Sequence, residues 1–167
     1  MAHLTLTFWD LIRAPFLDVS MIWGIVPLYF ALLLNELTST KANFRTAIQT
    51  GFSFIWAAAQ WFYFFAKSRP VPESAAILAS KPINLFVTVA VFVLGLVALY
   101  SGLRRRYPKY GSFLGRTRFS NYFMITIYPI QAHHFAWTWE RVQAIGAFAI
   151  PVWLVLHFGL MPFRGRK

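Results

Sequence analysis

Arg104 to Arg118, RRRYPKYGSFLGRTR, places six positive charges and no acid between two strongly apolar runs. A cluster of that kind stays out of hydrocarbon, and Lys and Arg in short loops are retained on the cytoplasmic side of a membrane. The stretch therefore fixes one side of a bilayer, and the other segments are placed by counting crossings from it.

The composition agrees. Of 167 residues 58% are hydrophobic and 13% charged, with a mean hydropathy of +0.54, which is too apolar for an ordinary soluble domain. The chain reads as a single integral membrane domain. Its net charge of +11 lies in short clusters at the ends of apolar runs, not along one polar face, so nucleic acid is not an expected partner. With no cysteine, disulfides, thiolate metal sites and a cysteine nucleophile are excluded. Asp10 and Asp18 beside the first apolar residues, without a basic n-region, argue against a cleaved signal peptide.

The expected fold is an all-α bundle of five transmembrane helices preceded by a short interfacial helix. Residues 4–17 set Leu4, Phe8, Leu11, Ile12 and Phe16 at helical spacing with Thr7, Asp10 and Arg13 opposite, which predicts a helix lying in the interface. Membrane spans are expected over about 19–37, 46–66, 83–103, 119–139 and 142–161. The span at 119–139 is the least regular, because it contains Asn121, Gln131, His133, His134 and Pro129.

Charge counting separates five spans from four. With the N-terminus outside, five spans put eleven cations inside and five outside, namely Arg13, Lys67, Arg69, Lys81 and Arg141. If 119–139 does not cross, the split becomes nine against seven and the asymmetry that insertion respects is blunted. The count favours five spans with a cytoplasmic C-terminus, and the expected location is the plasma (inner) membrane. No Gly or Pro lies between Gln131 and Ala144 to make a tight reversal, which is the weak point of that topology.

Few residues suggest chemistry. Adjacent His133 and His134 point about 100° apart on a helix, and His157 lies about 15 Å deeper than His133 if the chain reverses near Glu140. A metal or haem shared by these three is not expected, although His3 could join His133 or His134 at one side of the membrane. Glu36 is the one acid inside an expected span, with Asn35 beside it, and an intramembrane carboxylate is a functional candidate by default. It pairs either with Lys41 or Arg45 at the interface, or with His157 in an ion or proton path. Arg104, Arg105, Arg106, Lys109, Arg116 and Arg118 are expected to meet anionic headgroups.

Aromatic residues make up 19% of the chain, and Trp9, Trp23, Trp61, Trp137 and Trp139 fall near expected outer ends, as in an interfacial belt. The same residues would serve contact with lipid, a quinone or a pigment, and no cofactor is required by the sequence. Ala98 and Gly102 form one small-xxx-small pair for helix packing. The expected function is a non-enzymatic polytopic subunit or scaffold that assembles with itself or with other membrane subunits. The alternatives are a small ion or proton channel or transporter using Glu36 and His157, and a metal or haem redox subunit using His133 and His134.

Overall fold

The computed structural model of the chain describes residues 2–38, 44–67, 80–104, 118–132 and 134–160. These residues form six helices and no strand: α1 (Ala2–Leu17), α2 (Val19–Thr38), α3 (Phe44–Lys67), α4 (Ser80–Arg104), α5 (Arg118–Gln131) and α6 (Trp139–Gly159). Two of them are long and apolar enough to cross a membrane, α4 over Pro82–Arg104 and α6 over its whole length. At about 1.5 Å per residue each covers the roughly 30 Å of hydrocarbon. The pair α1–α2 provides a third crossing if it is counted as one bent span.

Between α1 and α2 the axis turns by 107°. Pro15 removes one backbone donor from the last turn of α1, and Asp18 then starts a new helix. Its Oδ1 accepts the Ser20 N–H at 2.9 Å and its carbonyl accepts the Met21 N–H at 3.0 Å, the geometry of an N-cap. The bonds from Ser20 hold the Asp18 carboxyl below its ordinary pKa. Asp18→Ala is therefore expected to cost about 1 kcal/mol, read by unfolding in micelles. Because the folded pKa is the lower one, that contribution is present above the unfolded value of about 3.9 and vanishes as pH falls through the folded value. Equal midpoints for both proteins at pH 7 would contradict the cap.

The apolar stripe of α1 does not face lipid alone, as an interfacial helix would have it. Phe8 and Leu11 are buried against the bundle, and the Phe8 ring lies 5.6 Å from that of Phe148 on α6. Leu6, Trp9 and Phe16 are left exposed, so the helix is a strap docked on α5 and α6 with a second apolar edge outward.

The most extensive pairing is α3 against α4, and it is antiparallel: Ile48 meets Gly102, while Gly51 meets Gly95 and Leu99. The backbones approach so closely that a Cβ on Gly51 would lie 2.6 Å from the Leu99 nitrogen and 2.8 Å from the Gly95 carbonyl oxygen. Small residues at the crossing are what permit this in a membrane helix pair. The Ala98/Gly102 pair read from the sequence belongs to this seam, with Ala98 buried and Gly102 against Phe44 and Ile48.

The remaining contacts fix the directions of the other helices. Ser53 and Trp61 of α3 meet Asn121 and Tyr128 of α5, so these two run parallel. Gly24 of α2 meets both Gln60 and Tyr128, and Asn84 of α4 reaches Trp137, just ahead of α6. One end of the bundle thus gathers the starts of α2, α4 and α6, and the other the starts of α3 and α5.

At the centre is α5. From Asn121 to Ala132 every residue but Phe123 is buried, and α1, α2, α3 and α6 all pack on it. The sequence predicts one helix across 119–139, but α5 stops at Gln131 after 14 residues, or about 21 Å. The end is closed by backbone bonds: the Pro129 carbonyl accepts the N–H groups of His134 at 3.0 Å and Phe135 at 3.3 Å. The reversal that lacked a Gly or Pro is made by seven residues, 132–138, and not by a tight turn. Thr138 ends it by accepting the Arg141 N–H as N-cap of α6. Arg141 braces the reversal, donating to the Ala136 carbonyl at 2.8 Å and lying over the Phe135 ring at 4.7 Å.

Candidate functional site

The polar side chains of the bundle collect along α5. Asn121, Thr126 and Gln131 are fully buried on it, and facing them are Thr50 and Ser53 of α3 and Asn84 and Thr88 of α4. The spacing explains part of the collection: Asn121 and Gln131 are ten positions apart and so lie on neighbouring faces of one helix, whereas Thr126 turns away and donates to the Phe123 carbonyl of its own helix.

Two amide–hydroxyl pairs tie α5 to its neighbours. Ser53 Oγ lies 2.9 Å from the Thr50 carbonyl and 3.1 Å from the Asn121 amide. Thr88 Oγ1 lies 2.7 Å from the Asn84 carbonyl and 3.4 Å from the Gln131 amide. Each hydroxyl has one proton, and the shorter contact assigns it to the helix carbonyl. Each hydroxyl also faces an amide oxygen, Asn121 Oδ1 and Gln131 Oε1, so the buried NH2 groups of both amides are left without a partner among the described residues. Asn84 in turn accepts the Trp137 indole N–H at 2.7 Å.

Further buried polar atoms stay unspent among the described residues, including Gln49 Oε1, Thr50 Oγ1, Trp61 Nε1, Ser101 Oγ and the hydroxyls of Tyr122 and Tyr128. Trp61 and Tyr128 are completely buried with ring centroids 5.8 Å apart. Trp61 is therefore a core residue and not part of an outer aromatic belt, which corrects the sequence reading. Trp9, Trp23 and Trp139 are exposed, as a belt requires.

Charged groups meet elsewhere, where α1 crosses α6. His3 Nδ1 lies 2.8 Å from Glu140 Oε1, which also accepts the Thr7 hydroxyl, and His134 Nδ1 lies 3.9 Å from Asp18 Oδ2. His3 and His134 thus each face a different carboxylate, and among the described residues no three His, Asp or Glu side chains converge as metal ligands would. His133 lies outside the described residues.

Glu36 and Asn35 sit in the last turns of α2, their side chains outside the described part. His157 is half-buried near the end of α6, its ring 5.4 Å from that of Trp153. In the basic loop, Arg104 ends α4 with its guanidinium 5.9 Å from the Tyr100 ring, and Arg118 opens α5. Arg105, Arg106, Lys109 and Arg116 lie outside the described residues.

The polar line on α5 was partly legible, because Asn121 and Gln131 stand out in an apolar run. Ser53, Thr50, Asn84 and Thr88 carry no local signal, since isolated hydroxyls are ordinary on any helix. Amides, hydroxyls and an indole make strong hydrogen-bonding cement between helices, and this line contains no carboxylate or imidazole for proton transfer. No known protein family matches the sequence, and no curated protein and no solved structure matches it.

Proposed function

We propose that the chain is a non-enzymatic integral membrane subunit of five crossings, with its N-terminus outside, that works by assembling with a second copy or with other membrane subunits. The observation that carries this reading is the isolation of α4. Among the described residues its one extensive partner is α3, and Phe86, Val89, Val93, Leu96, Val97 and Tyr100 stand exposed along the remaining length. A helix hydrophobic almost all round that is covered on one side only is suited to receive another helix.

The five-crossing part is supported by the alternation of directions, with α2, α4 and α6 starting at one end and α3 and α5 at the other. α3 has 24 residues, and its modest hydropathy comes chiefly from half-buried Gln49 and Gln60 and from Arg45 and Lys67 at its ends, while Thr46, Thr50 and Ser53 face the interior. α5 is too short by itself, but 132–138 extend its reach, and non-helical backbone at membrane depth is tolerated where protein surrounds it. Ala136 is buried and Trp137 is held by Asn84.

Extraction in mild detergent tests the assembly. A discrete particle larger than the 19.3 kDa chain with its detergent is expected, and Val93→Arg should reduce it to the monomer. A monomeric wild type in both native membranes and several detergents would overturn the reading.

A further inference from the structure

We propose that α1 is a pH-sensitive strap, clamped at both ends by histidine–carboxylate pairs while the imidazoles are protonated and released into the membrane interface when they are neutral. His3, at the start of α1, has its Nδ1 2.8 Å from Glu140 Oε1, which also accepts the Thr7 hydroxyl. Asp18, the first residue after α1, has its Oδ2 3.9 Å from His134 Nδ1. Both partners belong to one short stretch, the reversal and the first turn of α6, so the two ends of α1 are held to a single support. Between the two pairs Phe8, Leu11 and Ala14 are buried.

Apolar contact alone holds such a strap weakly. Lipid chains are as apolar as the residues they would meet, so moving Phe8 and Leu11 from the bundle into lipid costs little, and polar contacts decide the docking. Leu6, Trp9 and Phe16 on the outer edge already suit the interface, so an undocked α1 stays at the membrane surface. An imidazole ordinarily gains its charge below about pH 6.5, and a carboxyl loses its own below about pH 4. The paired charges are therefore present between these limits and are lost as pH rises through the upper one. Of the other charged groups on these elements, Asp10 and Arg13 of α1 are exposed, and Arg141 is held by the Ala136 carbonyl and the Phe135 ring. Glu36, Arg118 and His157 belong to the opposite end of the bundle. In the proposed topology the clamped end is the outer one, so the pH that is read is external. That assignment rests on the topology, whereas the clamp itself depends neither on it nor on assembly with other subunits.

The test reads Ala14, on the buried face of α1. Ala14→Cys supplies a single thiol, since the chain has none of its own, and Leu6→Cys supplies an exposed reference on the same helix. The ratio of their labelling rates with a small neutral thiol reagent, in phosphatidylcholine vesicles, removes the ordinary response of a thiol to pH. Between pH 5.5 and pH 8 the Ala14→Cys rate should rise against the reference by about two- to fivefold for each pair lost, the range of exposed ion pairs. Adding His3→Gln and His134→Gln should make the ratio high at both pH values. Glu140→Gln with Asp18→Asn should do the same, because asparagine keeps the N-cap of α2 and removes only the charge. His133 and His157 remain in every variant, so a pH response undiminished by these substitutions would overturn the proposal. An equal ratio at pH 5.5 and pH 8 without them would overturn it too. Circular dichroism at both pH values separates undocking from unfolding.

Discussion

Replacing Gly51 by leucine is expected to part α3 from α4 and to cost at least about 3 kcal/mol, the upper range for an overfilled core. The clash is with backbone, the Leu99 nitrogen and the Gly95 carbonyl, so no rotamer change relieves it. Gly51→Ala meets the same atoms with its Cβ alone and should cost about 1–3 kcal/mol. Gly146 on α6 is the control: nothing lies within 4 Å of a Cβ there, so Gly146→Ala should show no loss. Unfolding by denaturant in micelles gives all three values. A Gly51→Leu protein as stable as wild type would mean that α3 and α4 do not cross at these glycines.

Trp61→Ala is the second large effect, at about 3–5 kcal/mol, because it empties a fully buried aromatic site between α3 and α5. Trp61→Phe should cost much less, since the indole N–H it removes has no partner among the described residues and only ring volume is lost. Similar losses from both substitutions would place a hydrogen bond at that nitrogen. Exposed Trp139 offers the contrast: its replacement by Ala leaves the core packing untouched and should cost little in the same assay.

How far the sequence could be read is clear from particular residues. α4 and α6 were legible because each is apolar on nearly every face, and hydropathy needs no knowledge of partners to find such a helix. α5 was legible only as an irregular span containing Asn121 and Gln131; that other helices bury nearly all of it from Asn121 onward is evident from the fold alone. Its end at Gln131 was not legible, because a proline inside an apolar run signals equally a kink and a stop, and the backbone bonds that Pro129 accepts belong to the fold.

Trp61 was misread for a related reason. A tryptophan at the end of an apolar segment has the same local appearance whether it meets headgroups or Tyr128. The stripe on α1 likewise shows which face is apolar but not whether lipid or α6 covers it. The pairing of Gly51 with Gly95 joins positions 44 residues apart, beyond any local pattern, while Ala98/Gly102 was visible because its spacing lies within one helix.

The proposed topology, five crossings with the basic segment 104–118 inside, is tested most directly by labelling. Because the protein has no cysteine, Ser74→Cys and Ser112→Cys each supply a single reactive position, one in each of the two loops that flank α4. An impermeant thiol reagent applied to intact cells should tag the first and spare the second, and after permeabilisation both should react. Tagging of Ser112→Cys in intact cells would contradict the topology and the account with it.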